Sequence, residues 1–454
     1  PTVRLAAERM PRTMFYDLIY CALLVVAFPW LAWQRMRHGK YRAGFAAKFL
    51  GRVTRREGRN RCVWFHAVSV GEVMLLGRLI QEWREEHPDW DVVITSTTST
   101  GFELAQRRYA DCLVSYAPLD FSWSVAEAFR RWRPDLLVLA ELEIWPNLLG
   151  AAKERRTPVA IVNGRLSEKS FRGYRRVRPL VARWLGSIDW IGCQTTEYAE
   201  RFRALGAAPE RVEVTGSLKF DRAESDRDNP RTCELRRLVG LQGATPVWVV
   251  GSTQAGEEAV AWEVYRQVRA DHPELRLVIV PRHQERFDEV ARQLEQLGAS
   301  VARRSRISDA ACEESLRWRS QSDAVLLVDT IGELGAWWGT ASVAFVGGSL
   351  GSRGGQNMIE PAAYGAAVSF GPETRNFRDV VQLLLAADAA IVVHDAAEMR
   401  SFVERCLSEP RWSAGLGQRA QRVVAAQQGA TRATLMGLAR FAAPEATHQS
   451  SKAA

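Results

Sequence analysis

No two of the seven cysteines (21, 62, 112, 193, 233, 312 and 406) form a Cys-x-x-Cys pair, and no histidines cluster at ligand spacing. That scatter argues against a structural zinc and for reduced thiols facing the cytoplasm. No recognisable nucleic-acid-binding motif accompanies the positive charge, so nucleic acid is not an expected partner. Repeats are absent too, and the only biased tract is an Ala/Ser-rich tail after Ala443, expected to be disordered. What remains is a chain of 454 residues with 47% hydrophobic residues, enough to fill two ordinary α/β cores.

The apolar run Met14 to Trp33 is broken by the single charge of Asp17 and is about long enough to cross a bilayer. Trp30 and Trp33 stand at its far end, where aromatic rings favour a membrane interface. From Arg35 to Arg61 there are ten Lys or Arg against the single Glu57, which by the positive-inside rule puts the rest of the protein in the cytoplasm. No small-residue cleavage motif follows, so a retained anchor is expected, with Pro29 leaving a helix lying in the interface as the alternative. The formal charge of +9 gathers there and in Arg165 to Arg183, which holds seven basic residues and one acid. Such patches attract anionic lipid or phosphorylated substrates; a solvated helix face is the plainer reading.

From about residue 60, short β-rich runs alternate with amphipathic helices in two blocks. Cys62 to Phe65, Val92 to Thr95, Leu136 to Ala140, Val159 to Val162 and Trp190 to Gly192 read as strands of the first. Val247 to Val250, Leu275 to Val280, Ala324 to Val328, Val343 to Val346, Ala367 to Phe370 and Ala390 to Val393 read as strands of the second. The pattern predicts an α/β chain with two doubly wound, Rossmann-like parallel sheets. The expected divisions are an anchor with its basic flank (1–40), an acceptor-side domain (41–222), a linker (223–246), a nucleotide-side domain (247–440) and a tail (441–454). Polar residues collect at the carboxyl ends of strands, where open sheets bind ligands, and a cleft between the halves is the expected site.

The richest stretch is F-V-G-G-S-L-G-S-R-G-G-Q-N-M-I-E (345–360). Its spacing is neither a P-loop nor G-x-G-x-x-G. Glycines at 347, 348, 354 and 355 let backbone amides approach an anion, and Asn357 and Glu360 fall in what reads as the helix that follows. Phosphate on the amides with Glu360 on a ribose diol describes a nucleotide pocket; a glycine-rich turn without ligand is the alternative.

Read in order, S-V-G-E (69–72), T-S-T-T-S-T-G (95–101), E-L-E-I-W-P-N (141–147), N-G-R-L-S (163–167), T-G-S-L-K-F-D (215–221), P-R-H-Q-E-R-F (281–287), D-T-I-G-E-L (329–334) and the glycine cluster resemble the 3-deoxy-D-manno-octulosonic acid (Kdo) transferases. The resemblance spans nearly the whole chain, with Q-N-M-I-E where the family commonly has H-N-P-L-E. It implies a GT-B fold whose two domains face a central cleft, behind an N-terminal anchor at the inner membrane. It also implies inverting transfer of Kdo from CMP-Kdo to a lipid A precursor, without a cofactor or donor-bound metal. By that resemblance Glu72 is the general base, Glu141 supports the transition state directly or through Lys219, and Lys219 balances donor charge. Glu143 ranks behind Glu141. The nucleotide contacts implied are Pro281, Arg282, Ile331, Gly332, Glu333, Gly347, Gly348, Ser349, Asn357, Met358, Ile359 and Glu360, with His283 structural. Two other functions compete: a GT-B transferase or epimerase using a UDP-sugar, and a non-enzymatic module binding anionic lipid.

Overall fold

The computed structural model describes residues 12–38, 43–241, 243 and 245–443. Among these, fourteen strands form two seven-stranded sheets in which every pairing is parallel. The first contains β1 (Arg61–His66), β2 (Trp90–Ser96), β3 (Leu113–Tyr116), β4 (Leu136–Ala140), β5 (Val159–Gly164), β6 (Trp190–Cys193) and β7 (Val212–Val214), in the order 3-2-1-4-5-6-7. The second contains β8 (Val247–Thr253), β9 (Arg276–Pro281), β10 (Ser300–Arg303), β11 (Ala324–Leu327), β12 (Val343–Val346), β13 (Ala367–Phe370) and β14 (Ile391–Val392), in the order 10-11-9-8-12-13-14. Strands buried on both faces read as continuous apolar runs because helices cover each side. In β1, Trp64 packs with Phe129 and Trp132 on one face, while its neighbour Phe65 meets Trp83 on the other.

The chain forms two compact units, and the boundaries differ from those expected. Residues 222–427 make the second unit, and residues 428–443 belong to the first. The returning helix Ala430–Ala442 is held by Asp221, whose carboxylate accepts from the amides of Gly429 and Thr431. Arg61 then binds the carbonyls of Phe441 and Ala442, so these two residues are not part of a disordered tail. The tail from 444 onward lies outside the described residues. The stretch expected as a linker contains the helix Pro230–Leu238, with Asn229 as N-cap. Arg227 fastens it to the second unit through the carbonyls of Gly339, Ala341 and Tyr364.

The apolar start is one helix, Arg12–His38. The expected membrane span is not met: among the described residues no helix is long and apolar enough to cross a membrane. Part of this helix is committed to protein contact instead. Asp17 is buried against Ser122 and Asn147, and the Tyr16 hydroxyl accepts from Trp184 Nε1 at 3.2 Å. Leu23, Val25, Val26, Phe28 and Trp30 remain exposed. The basic flank is likewise partly structural, since Arg56 is buried and pairs with Asp91 at 2.6 Å.

Candidate active site

In the first sheet the strand order reverses between β1 and β4, and the crevice beyond such a switch point is where open sheets bind ligands. Glu72 and Glu141 both lie just beyond the carboxyl ends of those strands. Glu72 lies in the first turn of helix Val70–Leu75, in a capping box with Ser69. Its carboxylate accepts from the amide of Val68 at 2.8 Å and from the Ser69 hydroxyl at 2.9 Å. That is the plain structural role of a glutamate at this position. What sets it apart is its company. Burial pushes the Glu72 carboxyl above the ordinary range against the pull of these hydrogen bonds, and the nearby Glu141 charge pushes it further.

β4 stops at Ala140, and Glu141 turns into the left-handed region at φ 57°. A non-glycine residue there is strained, and such strain collects at functional sites. Glu143 nevertheless stays with the other two acids. Burial raises its pKa to about 7, opposed by a hydrogen bond from Trp145 Nε1 at 2.7 Å and reinforced by the charges of Glu72 and Glu141. Tyr174, a residue the sequence did not single out, lies close enough to feel the Glu143 charge. Asn163, at the end of β5, is also left-handed at φ 54°. Its Oδ1 accepts from the amide of Leu218 at 3.1 Å and so fixes the turn that carries the half-buried Lys219.

The second switch point lies between β8 and β12, and there the anion reading of the glycines needs correction. The Gly347 and Gly355 amides donate to the carbonyls of Gly251 and Gly348, and the amides from Gly348 to Leu350 are occupied by a carboxylate of the chain itself. Buried Glu257 accepts from Gly348 N at 2.7 Å and Gln254 N at 2.8 Å on one oxygen, and from Ser349 N at 3.0 Å and Leu350 N at 3.1 Å on the other. A Cβ at Gly347 would lie 2.7 Å from the same carboxylate, which explains the glycine there. The Ser349 hydroxyl is also used internally, donating to the Val346 carbonyl and accepting from Gly371 N. The helix expected to follow is only Ile359–Ala363, too short for a strong dipole.

Of the other predicted nucleotide contacts, the structure brings Arg282 and Glu360 together. Burial raises the Glu360 carboxyl, while Asn357 and the charges of Arg222 and Arg282 pull it down. Asn357 Nδ2 donates to Glu360 at 3.0 Å, and its Oδ1 accepts from Ile359 N. Met358, Ile359 and Pro281 have buried side chains, which suits packing beneath a site and not direct side-chain contact. Ile331 is 73% exposed beside Gly332, which takes φ 85°. Glu333 turns to Arg304 at 2.8 Å. His283 is exposed and so has no structural role in the core. Arg222 and Glu257 were not foreseen; nothing in their immediate neighbours distinguishes them from surface residues. Among the described residues no group of three or more His, Cys, Asp or Glu could hold a metal ion.

Residues 38–222 match the family described as 3-Deoxy-D-manno-octulosonic-acid transferase (kdotransferase). The 3-deoxy-D-manno-octulosonic acid transferase of Bordetella pertussis is 34% identical over 438 residues, covering 93% of this chain and 98% of that protein. The Haemophilus influenzae protein of the same name is 30% identical, over 82% of this chain and 85% of its own length. Among solved structures, UDP-GlcNAc 2-epimerase from Neisseria meningitidis bound to UDP-GlcNAc aligns with a TM-score of 0.56 at 12% identity, covering 84% of this chain and 100% of that one. At that identity the likeness is one of fold alone.

Proposed function

The chain belongs to the Kdo transferase family, and from that premise we propose that it moves Kdo from CMP-Kdo to a lipid A precursor, lipid IVA, in lipopolysaccharide biosynthesis. The observation that carries the reading is the meeting of Glu72 and Glu141 at the switch point of the first sheet, with burial raising the Glu72 carboxyl. A carboxylate raised toward neutrality is a better base near pH 7. Glu72 takes the proton of the acceptor hydroxyl as that oxygen attacks the anomeric carbon, and the CMP phosphate leaves from the opposite face. Glu141 and Lys219 support the transition state. On the second unit Glu360 binds the ribose diol and Arg282 the base or phosphate, and exposed Ile331 offers an apolar contact to the nucleotide. With the amides of Gly348, Ser349 and Leu350 engaged by Glu257, the donor's negative charge on the second unit falls to the cationic side chains Arg282 and Arg222 beside Glu360.

The protein works at the cytoplasmic face of the inner membrane. Leu23, Val25, Val26, Phe28 and Trp30 of the first helix enter the lipid interface, and the basic stretches meet anionic headgroups. Nucleotide competition tests the donor assignment. CMP should displace a fluorescent CMP analogue, and UDP should do so at least tenfold less well. Equal competition would favour a UDP-sugar enzyme.

A further inference from the structure

Asp17 is the one charge between Met14 and Trp33, and a tether has no use for it. In the structure both of its oxygens are engaged. Oδ1 accepts from the Ser122 amide at 2.8 Å and the Asn147 side-chain amide at 3.0 Å, and Oδ2 accepts from the Ser122 hydroxyl at 2.5 Å. One turn along the same helix, Tyr20 donates its hydroxyl to Asp120 at 2.8 Å. Asp120 is also buried, and it accepts from the amides of Asn147 at 3.0 Å and Leu148 at 2.8 Å. These amides open the helix Pro146–Glu154, so Asp120 supplies the anion its N-terminus favours. Asn147 completes the set by donating to the Asp120 carbonyl at 2.6 Å.

Asn147 closes the segment E-L-E-I-W-P-N. Its upstream end is fixed by β4, and its downstream end by this buried lattice. We propose that Asp17, assisted by Tyr20, is a positioning residue for the Glu141–Trp145 loop, so that the N-terminal helix serves the reaction and not membrane attachment alone. The inference rests on reading the loop's glutamates as part of the acceptor-side chemistry. Misplacing a catalytic group by about 1 Å can cost on the order of 100-fold in rate, so loss of one end of the loop should be felt in turnover.

Full-length Asp17→Leu tests this against a detergent-dispersed acceptor. Leucine makes the stretch more apolar, so a mere tether would work as well or better. The expected result is a fall in kcat of about tenfold or more with KM for CMP-Kdo within about twofold, because the donor contacts lie on the other unit. Amide exchange should quicken at 119–123 and 144–149. Asp17→Asn, which keeps one oxygen for the Ser122 amide, should recover part of the loss. If the leucine variant does not fold, Tyr20→Phe removes only a hydroxyl and should lower kcat in the same direction by less. Parent-like exchange, or kcat within about twofold of the parent in both Asp17→Leu and Tyr20→Phe, would overturn the proposal. A parent that transfers no Kdo would instead refute the functional reading, and the exchange measurement would still decide the positioning.

Discussion

Glu257→Gln should destabilise the second unit although it changes one oxygen to nitrogen. The carboxylate accepts two amides on each oxygen, at 2.7 to 3.1 Å, in a buried setting. A glutamine can satisfy one pair through its carbonyl. Its NH2 then faces the other pair, donor against donor. Two charge-assisted hydrogen bonds are lost, at roughly 1.5–3 kcal/mol each, and two amides are left to find water. Partial hydration from the adjoining concavity, lined by Gln254, His283 and Arg286, trims the cost to about 3 kcal/mol. For a unit of this size that corresponds to a fall in Tm of about 6–12 °C. Differential scanning calorimetry gives the transition, and hydrogen exchange of residues 347–351 tells whether the loop or the whole unit loosens. CMP affinity should fall with it. A variant that melts with the parent and exchanges those amides at the parent rate would refute the claim that Glu257 holds the glycine loop.

Glu72→Gln should keep the fold and CMP affinity while transfer drops about 100-fold or more, as for a lost general base; rapid-quench turnover measures it. Arg282→Ala and Glu360→Ala should each weaken CMP in titration calorimetry, and parent-like affinity in both would mean the nucleotide lies elsewhere. Glu143 predicts a pH effect on stability. Its folded pKa of about 7 lies above the ordinary 4.5, so the folded state binds the extra proton between those values. Stability therefore declines as pH rises from about 4.5 to 7, and Glu143→Gln should flatten that decline in urea titrations at several pH values. Transfer should also persist in excess EDTA, and magnesium-reversible inhibition would show that the glutamates act through a metal.

The central strands were legible because burial on both faces leaves uninterrupted apolar runs, as in Leu136–Ala140 and Val343–Val346. The three strands the pattern missed, Leu113–Tyr116, Val212–Val214 and Ser300–Arg303, are all sheet edges, short and only partly buried. The return of Ala430–Ala442 to the first unit was invisible, because it depends on where Asp221 and Trp190 wait for it; a Cβ at Gly437 would lie 2.1 Å from the Trp190 ring. Motif order singled out Glu72 with Glu141 and Arg282 with Glu360, and the fold brings the members of each pair close enough to feel one another's charge. Motif chemistry misjudged the glycines, since a glycine-rich turn reads the same whether its amides await a ligand or already hold a glutamate 91 residues away. Asp17 looked like a flaw in an apolar segment, and its partners at 122 and 147 are set by the fold.

Mass spectrometry of lipid IVA incubated with the purified protein and CMP-Kdo tests the central claim most directly. The expected product is heavier by one or more Kdo residues, is formed with release of CMP, and is strongly reduced with Glu72→Gln. Unmodified lipid IVA with the parent protein, or equal product from the parent and Glu72→Gln, would contradict it.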